Sequence, residues 1–145
     1  MDEGYELSSH LAKVCLDPLK VELGLMELFI NAIEHGNLGI GFEEKAILVE
    51  KGIWHQEIEK RLNMPENIDK TVTVQFKPSE KEIKFFIKDC GDGFDWLLYR
   101  NFQEDKILEN HGRGIAFAVQ YCFDKLEYQG NGNEVMAVAK LTDSC

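Results

Sequence analysis

The sequence predicts an α+β domain in which helices layer on one face of a mixed or mostly antiparallel sheet. Three observations carry this. Apolar residues recur at helical spacing through LSSHLAKVCL (7–16), from Leu19 to about His35, and through FEEKAILVEKGIWHQEIEKRL (42–62). Two stretches, TVTVQFK (71–77) and EIKFFIKD (82–89), alternate apolar and polar residues as a hairpin does. A further apolar stretch, GRGIAFAVQYCF from Gly112, then leads into a second alternating pair, LEYQ and EVMAVAKL, around a GNGN turn at 130–133. Helices, hairpin, helix, hairpin is the order of a two-layer sandwich with its helices segregated on the sheet.

Each element has its own signals. Pro18 suits the first turn of a helix, where its missing N–H costs nothing. Gly36, Asn37 and Gly39 end that helix. The stretch 42–62 reads as one charged amphipathic helix or as a helix pair broken near Gly52, and Asn63-Met64-Pro65 stops it. Pro78-Ser79-Glu80-Lys81 forms the turn of the first hairpin. On its second strand Ile83, Phe85, Ile87 and Asp89 share one parity, so a carboxylate points to the side that the apolar residues bury. Such a group needs a donor. Residues 94–111 (FDWLLYRNFQEDKILENH) show no clean period and read as a loop with a helical turn.

At 145 residues the chain is one domain with room for a real core, and 44% hydrophobic with 29% charged residues is the balance of a soluble globular protein. No run is long enough for a membrane span and the acidic start MDEGYELSSH is unlike a signal peptide, so the cytoplasm is the expected location. The four cysteines, Cys15, Cys90, Cys122 and Cys145, lack CxxC spacing and are expected as reduced thiols. A formal charge of −10 argues against a nucleic-acid surface. It also requires any phosphate to be held locally, by backbone amides, a helix N-terminus, a metal ion or a few placed cations.

Three polar or glycine-rich clusters interrupt the core pattern. The first is a stripe on the long helix, where Glu27, Asn31, Glu34 and His35 recur at helical spacing. The second is 89-DCGDG-93 and the third 111-HGRG-114. Each alone has a plain explanation: a solvated stripe, a strand-ending turn, a loop entering a helix. A GxxxxGK[ST] phosphate loop, an HExxH motif and an EF-hand loop are absent from the sequence.

Taken in order, ELFINAIEHGN (27–37), DCGDG and the Gly-x-Gly helix start resemble the asparagine box and the two glycine boxes of the GHKL ATPase superfamily. That superfamily includes the ATP-binding domains of gyrases and histidine kinases. The resemblance covers about residues 19–141. Its form, with Glu27 four before Asn31 and His35-Gly36 following, is most similar to the anti-sigma factor serine/threonine-protein kinases of bacterial partner switching. The resemblance implies a histidine kinase-like ATPase fold of the Bergerat type, with ATP and Mg²⁺ as cofactors. Asn31 would ligate Mg²⁺ through its side-chain oxygen, and Glu27 would orient or deprotonate the attacking hydroxyl or water. Asp89 would accept the adenine amino group. Gly91 and Gly93 would let the backbone approach the base, while Gly112 and Gly114 would offer amides at a helix N-terminus to the phosphates. Arg113 would be the local cation. His35 is assigned either to a phosphate or to capping its own helix, and Glu34 to solvent.

The match departs from the family in three places. HGRGI has two glycines where many relatives have more. The family usually places a strand and a longer helix before the asparagine box, so the chain reads as a domain cut from a longer protein. Residues 38–70 exceed the usual link to the next strand and read as a helical insertion; Phe42, Ala46, Val49, Ile53 and Trp54 would form an apolar seam facing either the domain or a partner. The expected activity is Mg-ATP-dependent phosphorylation of a Ser/Thr on a protein partner that is antagonist-like or sigma factor-like, with plain ATPase activity as its alternative. A homodimer stays open, and neither nucleic acid nor membrane is expected. The competing readings are the ATPase core of a sensor histidine kinase and a catalytically inactive, nucleotide-dependent interaction module. None of His10, His35, His55 and His111 has the flanks of a phosphoacceptor histidine, and Glu27 favours the Ser/Thr type.

Overall fold

A computed structural model describes residues 2–94 and 117–141. The chain starts with α1 (Asp2–Ala12) and α2 (Pro18–Asn31), and α2 runs on into a π-helical turn, Ala32–Asn37. Helices α3 (Phe42–Glu50) and α4 (Trp54–Leu62) precede the hairpin β1 (Thr73–Pro78) and β2 (Glu82–Lys88). A short π-helical segment, Ala118–Cys122, leads to β3 (Lys125–Gln129) and β4 (Glu134–Lys140).

The four strands lie in the order β1-β2-β4-β3, and every described pairing is antiparallel. The mixed sheet that was one expectation is therefore, among the described residues, a purely antiparallel one. Each hairpin closes locally, and the second docks its last strand against β2 with Phe85 opposite Ala137 and Ile87 opposite Val135. Ser79 fixes the first turn: its N–H and its hydroxyl both donate to the Glu82 carbonyl, each at 2.8 Å.

The core follows from strand parity. Ile83, Phe85 and Ile87 of β2, with Val135, Ala137 and Ala139 of β4, bury against Val21, Leu25, Leu28, Phe29 and Ala32. The alternate residues face the other way and are charged or amphipathic: Lys77 lies 4.6 Å from the Phe86 ring centre, and Lys84 pairs with Glu82 at 3.0 Å. Among the described residues no helix is long and apolar enough to cross a membrane. Cys15, Cys90 and Cys122 are free thiols.

Two expectations about the helices are corrected, and for a third the structure selects one of two alternatives. The first helix begins at Asp2 and stops at Ala12 instead of running 7–16. Asp17 caps the next one by accepting from Lys20 N–H at 3.2 Å, which leaves Val14 to Leu16 as a link. The long apolar helix is α-helical only to Asn31; beyond it the backbone widens, with Leu38 N–H bonding the Ile33 carbonyl five residues back at 2.9 Å. The stretch 42–62 is a helix pair, turned at Gly52, whose φ of +68° suits glycine. That break moves the apolar seam. Ala46, Val49 and Ile53 are exposed, and the insertion packs instead through Leu48 and Ile58 on Leu38 and Ile40, with Ile33 and Trp54 at the margin. Arg61 ties the pair together: it reaches Glu57 at 2.9 Å, the Leu38 carbonyl at 3.1 Å, and Glu44.

Candidate functional site

The widening after Asn31 decides which polar residues of the α2 stripe meet. An α-helical continuation would keep Glu27, Asn31, Glu34 and His35 on one side. With the π turn, Asn31 and His35 open onto a pocket of ≈270 Å³, whereas Glu34 does not line it and is buried. The sequence assigns Glu34 to solvent; the structure corrects this, because Glu34 is fully buried. Lys45 Nζ lies 2.6 Å from its Oε2. Burial raises the Glu34 pKa, against the opposing pull of Lys45 and of the Trp54 indole N–H. Glu27, one turn before Asn31, is half-buried on α2 and does not line the pocket.

Asp89 reaches the same pocket from the end of β2. Its parity with Ile87 places it there, as the alternation foretold, and neighbours from three elements hold it. Asp89 N–H donates to the Asn133 carbonyl at 3.0 Å, and the next residue, Cys90, donates its N–H to Asn37 Oδ1 at 2.8 Å. Asn37 is itself buried, with Lys70 Nζ 2.8 Å from its carbonyl. Asn37 therefore fastens the end of the helix to the end of the strand, a part that its sequence signal as a helix stop did not convey. Gly91 N–H donates to Asp89 Oδ1 at 2.7 Å. Among the described residues no side chain donates to this carboxylate; backbone amides face it. Burial raises the Asp89 pKa, and the Gly91 and Asp89 backbone amides oppose it.

The glycines of DCGDG serve this approach in a way the sequence did not specify. Gly91 does not line the pocket. Its Cα abuts the Gly36 backbone, and a Cβ there would lie 2.4 Å from the Gly36 carbonyl oxygen. Gly93 does line it, with φ +81° and the Asn131 carbonyl oxygen 2.0 Å from where a Cβ would stand. Gly112, Arg113 and Gly114 lie outside the described residues, as do residues 95–111 of the loop expected over 94–111.

His35 is committed to its own loop. Its Nδ1 meets the Ile40 carbonyl, and its ring stacks at 4.1 Å on Phe42. Burial, with a smaller contribution from the Lys45 charge, lowers its pKa against that hydrogen bond. A neutral ring that donates from Nδ1 leaves Nε2 as an acceptor. Of the two roles open to it, bracing the turn after its helix is the one with a partner in place.

Other walls of the pocket were not legible as site residues. Phe42 and the 39–41 loop belong to the insertion; Tyr128, Asn133 and Glu134 belong to the closing hairpin. Phe94 and Tyr128 meet edge to face at 4.9 Å. The pocket is thus an aromatic and aliphatic slot with few polar groups: Asn31, Asp89, Tyr128, Asn133 and, at the margin, His35 and Glu134. The Asn31 side-chain nitrogen is buried there with no hydrogen-bond partner. Neither lysine nor arginine lines it among the described residues. No protein-family model, no curated protein and no solved structure matches the chain.

Proposed function

We propose that this chain is an ATP-binding regulatory domain of the Bergerat type, resembling an anti-sigma factor-type serine/threonine protein kinase. Its part would be to phosphorylate a Ser/Thr of a protein partner in a bacterial partner-switching system. The observation that supports this most is convergence. Asn31 from a helix and Asp89 from a strand end, far apart in sequence, open onto one slot that is mostly apolar. A heterocycle suits an apolar slot, and a carboxylate that opens onto it is an acceptor for an exocyclic amino group. The slot is slightly smaller than the roughly 300–1,000 Å³ usual for small-molecule sites, a size for a base and its sugar, with phosphates extending outward.

The residues present fit Mg²⁺ only as a shared ligand. No three His, Cys, Asp or Glu side chains gather at one point among the described residues, so Asn31 Oδ1 would hold the ion together with phosphate oxygens and water. When bound, the ion neutralises charge on the phosphates, which matters in a chain of −10. Glu27 would take the proton of the attacking hydroxyl. Its place outside the slot favours a second reading in which nucleotide is held and not turned over, the interaction-module alternative.

Two variants separate these. Asp89→Asn is expected to weaken Mg-ATP binding by roughly 10- to 100-fold, the loss of a charged hydrogen bond, as measured by calorimetry. It is also expected to raise the thermal midpoint at neutral pH. A carboxyl whose folded pKa is raised opposes folding once it ionises, a cost that grows as pH rises through that value and that the amide removes. Unchanged ATP affinity would count against the pocket. Glu27→Ala is expected to bind ATP as the parent does and to lose phosphoryl transfer in a radiolabel assay. Equal turnover with and without Glu27 would remove its catalytic assignment.

A further inference from the structure

Among the slot's polar side chains, Asp89 and Tyr128 both come from the sheet. Tyr128 stands on β3 opposite Val135, which stands opposite Ile87, and Asp89 follows two residues on with the same parity. Tyr128 and Asp89 therefore stand two strands apart across the sheet and one side-chain repeat apart along it, and both open onto one cavity. The edge-to-face contact with Phe94 fixes the Tyr128 ring. Tyr128 is half-buried, lines the cavity and makes no hydrogen bond through its hydroxyl to a described residue, so a ligand in the slot can supply that partner. Burial, and then the nearby Asp89 charge, push its pKa well up, so the group stays protonated and remains a donor.

We propose that Tyr128 reads the base: its hydroxyl donates to the ring nitrogen beside the amino group that Asp89 accepts. This rests on the nucleotide reading above and extends it from one contact to an edge. A carboxylate acceptor and a phenol donor on the same wall complement an amidine, an amino group next to an unprotonated ring nitrogen, as on a 6-aminopurine. A 6-oxopurine turned the same way sets its carbonyl oxygen against the carboxylate, acceptor against acceptor, and its protonated N1 against a donor. Discrimination of that kind comes from polar groups left unpaired, and it exceeds what an apolar slot achieves by shape.

The test uses the full chain with Mg²⁺ and calorimetry of ATP, 1-deaza-ATP and 7-deaza-ATP against the parent and Tyr128→Phe. The variant keeps the ring and its contact with Phe94; a thermal melt checks that it folds. The parent is expected to bind 1-deaza-ATP roughly tenfold more weakly than ATP, one hydrogen bond being lost, and 7-deaza-ATP as it binds ATP; a loss on 7-deaza-ATP alone overturns the inference. Tyr128→Phe is expected to bind ATP roughly tenfold more weakly than the parent, with no further loss on 1-deaza-ATP. A parent that binds all three ligands alike overturns the inference without recourse to a variant. Additive losses from the variant and the analogue overturn it as well, because hydroxyl and ring nitrogen then do not meet. A parent that binds no adenine nucleotide at all overturns the nucleotide reading, and this inference with it. Retained ATP binding with no coupling overturns this inference alone.

Discussion

Lys45→Met is expected to destabilise the folded chain by about 3 kcal/mol, and Glu34→Gln by clearly less. The asymmetry comes from where the two ends of the pair lie. The Glu34 side chain is 0% exposed, whereas that of Lys45 is 31% exposed. A lysine that loses its partner can swing its ammonium into water. The carboxylate has nowhere to go, and an uncompensated buried charge is the costly product of breaking such a pair. Urea denaturation of both variants at pH 7 measures the difference. The pH dependence gives an independent sign. The folded Glu34 pKa is already raised by burial, and Lys45 is among the groups holding it down. Without Lys45 it rises further. A carboxyl with a raised folded pKa supports the fold while protonated and loses that support as pH rises through the folded value. The penalty of Lys45→Met should therefore shrink as pH falls from neutral toward the ordinary glutamate range. Equal costs for the two variants, or a penalty independent of pH, would mean that the pair is solvated in solution.

The same pair marks where the sequence stops being legible. The spacing of Glu27, Asn31, Glu34 and His35 assumes a regular helix, and by that rule Glu34 belongs with its neighbours. One π turn, set by how the chain leaves the helix toward Leu38 and Ile40, sends Glu34 to Lys45 and leaves Asn31 and His35 at the pocket. A periodicity rule has no access to that shift, because the widening depends on what packs against the turn. Strand parity fared better. Ile83, Phe85, Ile87 and Asp89 alternate locally, so the inward carboxylate could be read from a few residues. Tyr128 sits on an equally readable strand. Its place in the pocket, however, depends on the register of β3 on β4 and of β4 on β2, which joins residues distant in sequence. Asn37 is similar: a helix stop by type, and a strand anchor only once β2 ends beside it. In the insertion the turn at Gly52 makes two short helices of one, so the packing runs through Leu48 and Ile58 and not through the expected Val49 and Ile53.

Two glycines that touch each other are expected to fail differently when each is given one methyl group. At Gly91 a Cβ would lie 2.4 Å from the Gly36 carbonyl oxygen and 2.8 Å from the Gly36 carbonyl carbon and Cα. These are backbone atoms at the junction of a helix end and a strand end, and Asn37 holds that junction through Cys90 N–H. Neither side can yield without parting the two elements, so Gly91→Ala is expected to cost about 3 kcal/mol, as overpacking in a tight site does. At Gly36 the Cβ would meet the Asp89 carboxyl group instead, at 2.3 Å from Cγ and 2.5 to 2.6 Å from its oxygens. A short side chain can rotate away. Gly36→Ala should then keep most of its stability while it displaces the carboxylate that faces the slot and releases its bond from Gly91 N–H. On the nucleotide reading, Gly36→Ala should weaken Mg-ATP at least as far as Asp89→Asn, roughly 10-fold or more. Denaturation curves and calorimetry on the pair separate the two effects. A Gly36→Ala chain that is folded and binds ATP normally would show that the carboxylate does not need its place against the helix end, and the slot would lose its main polar contact.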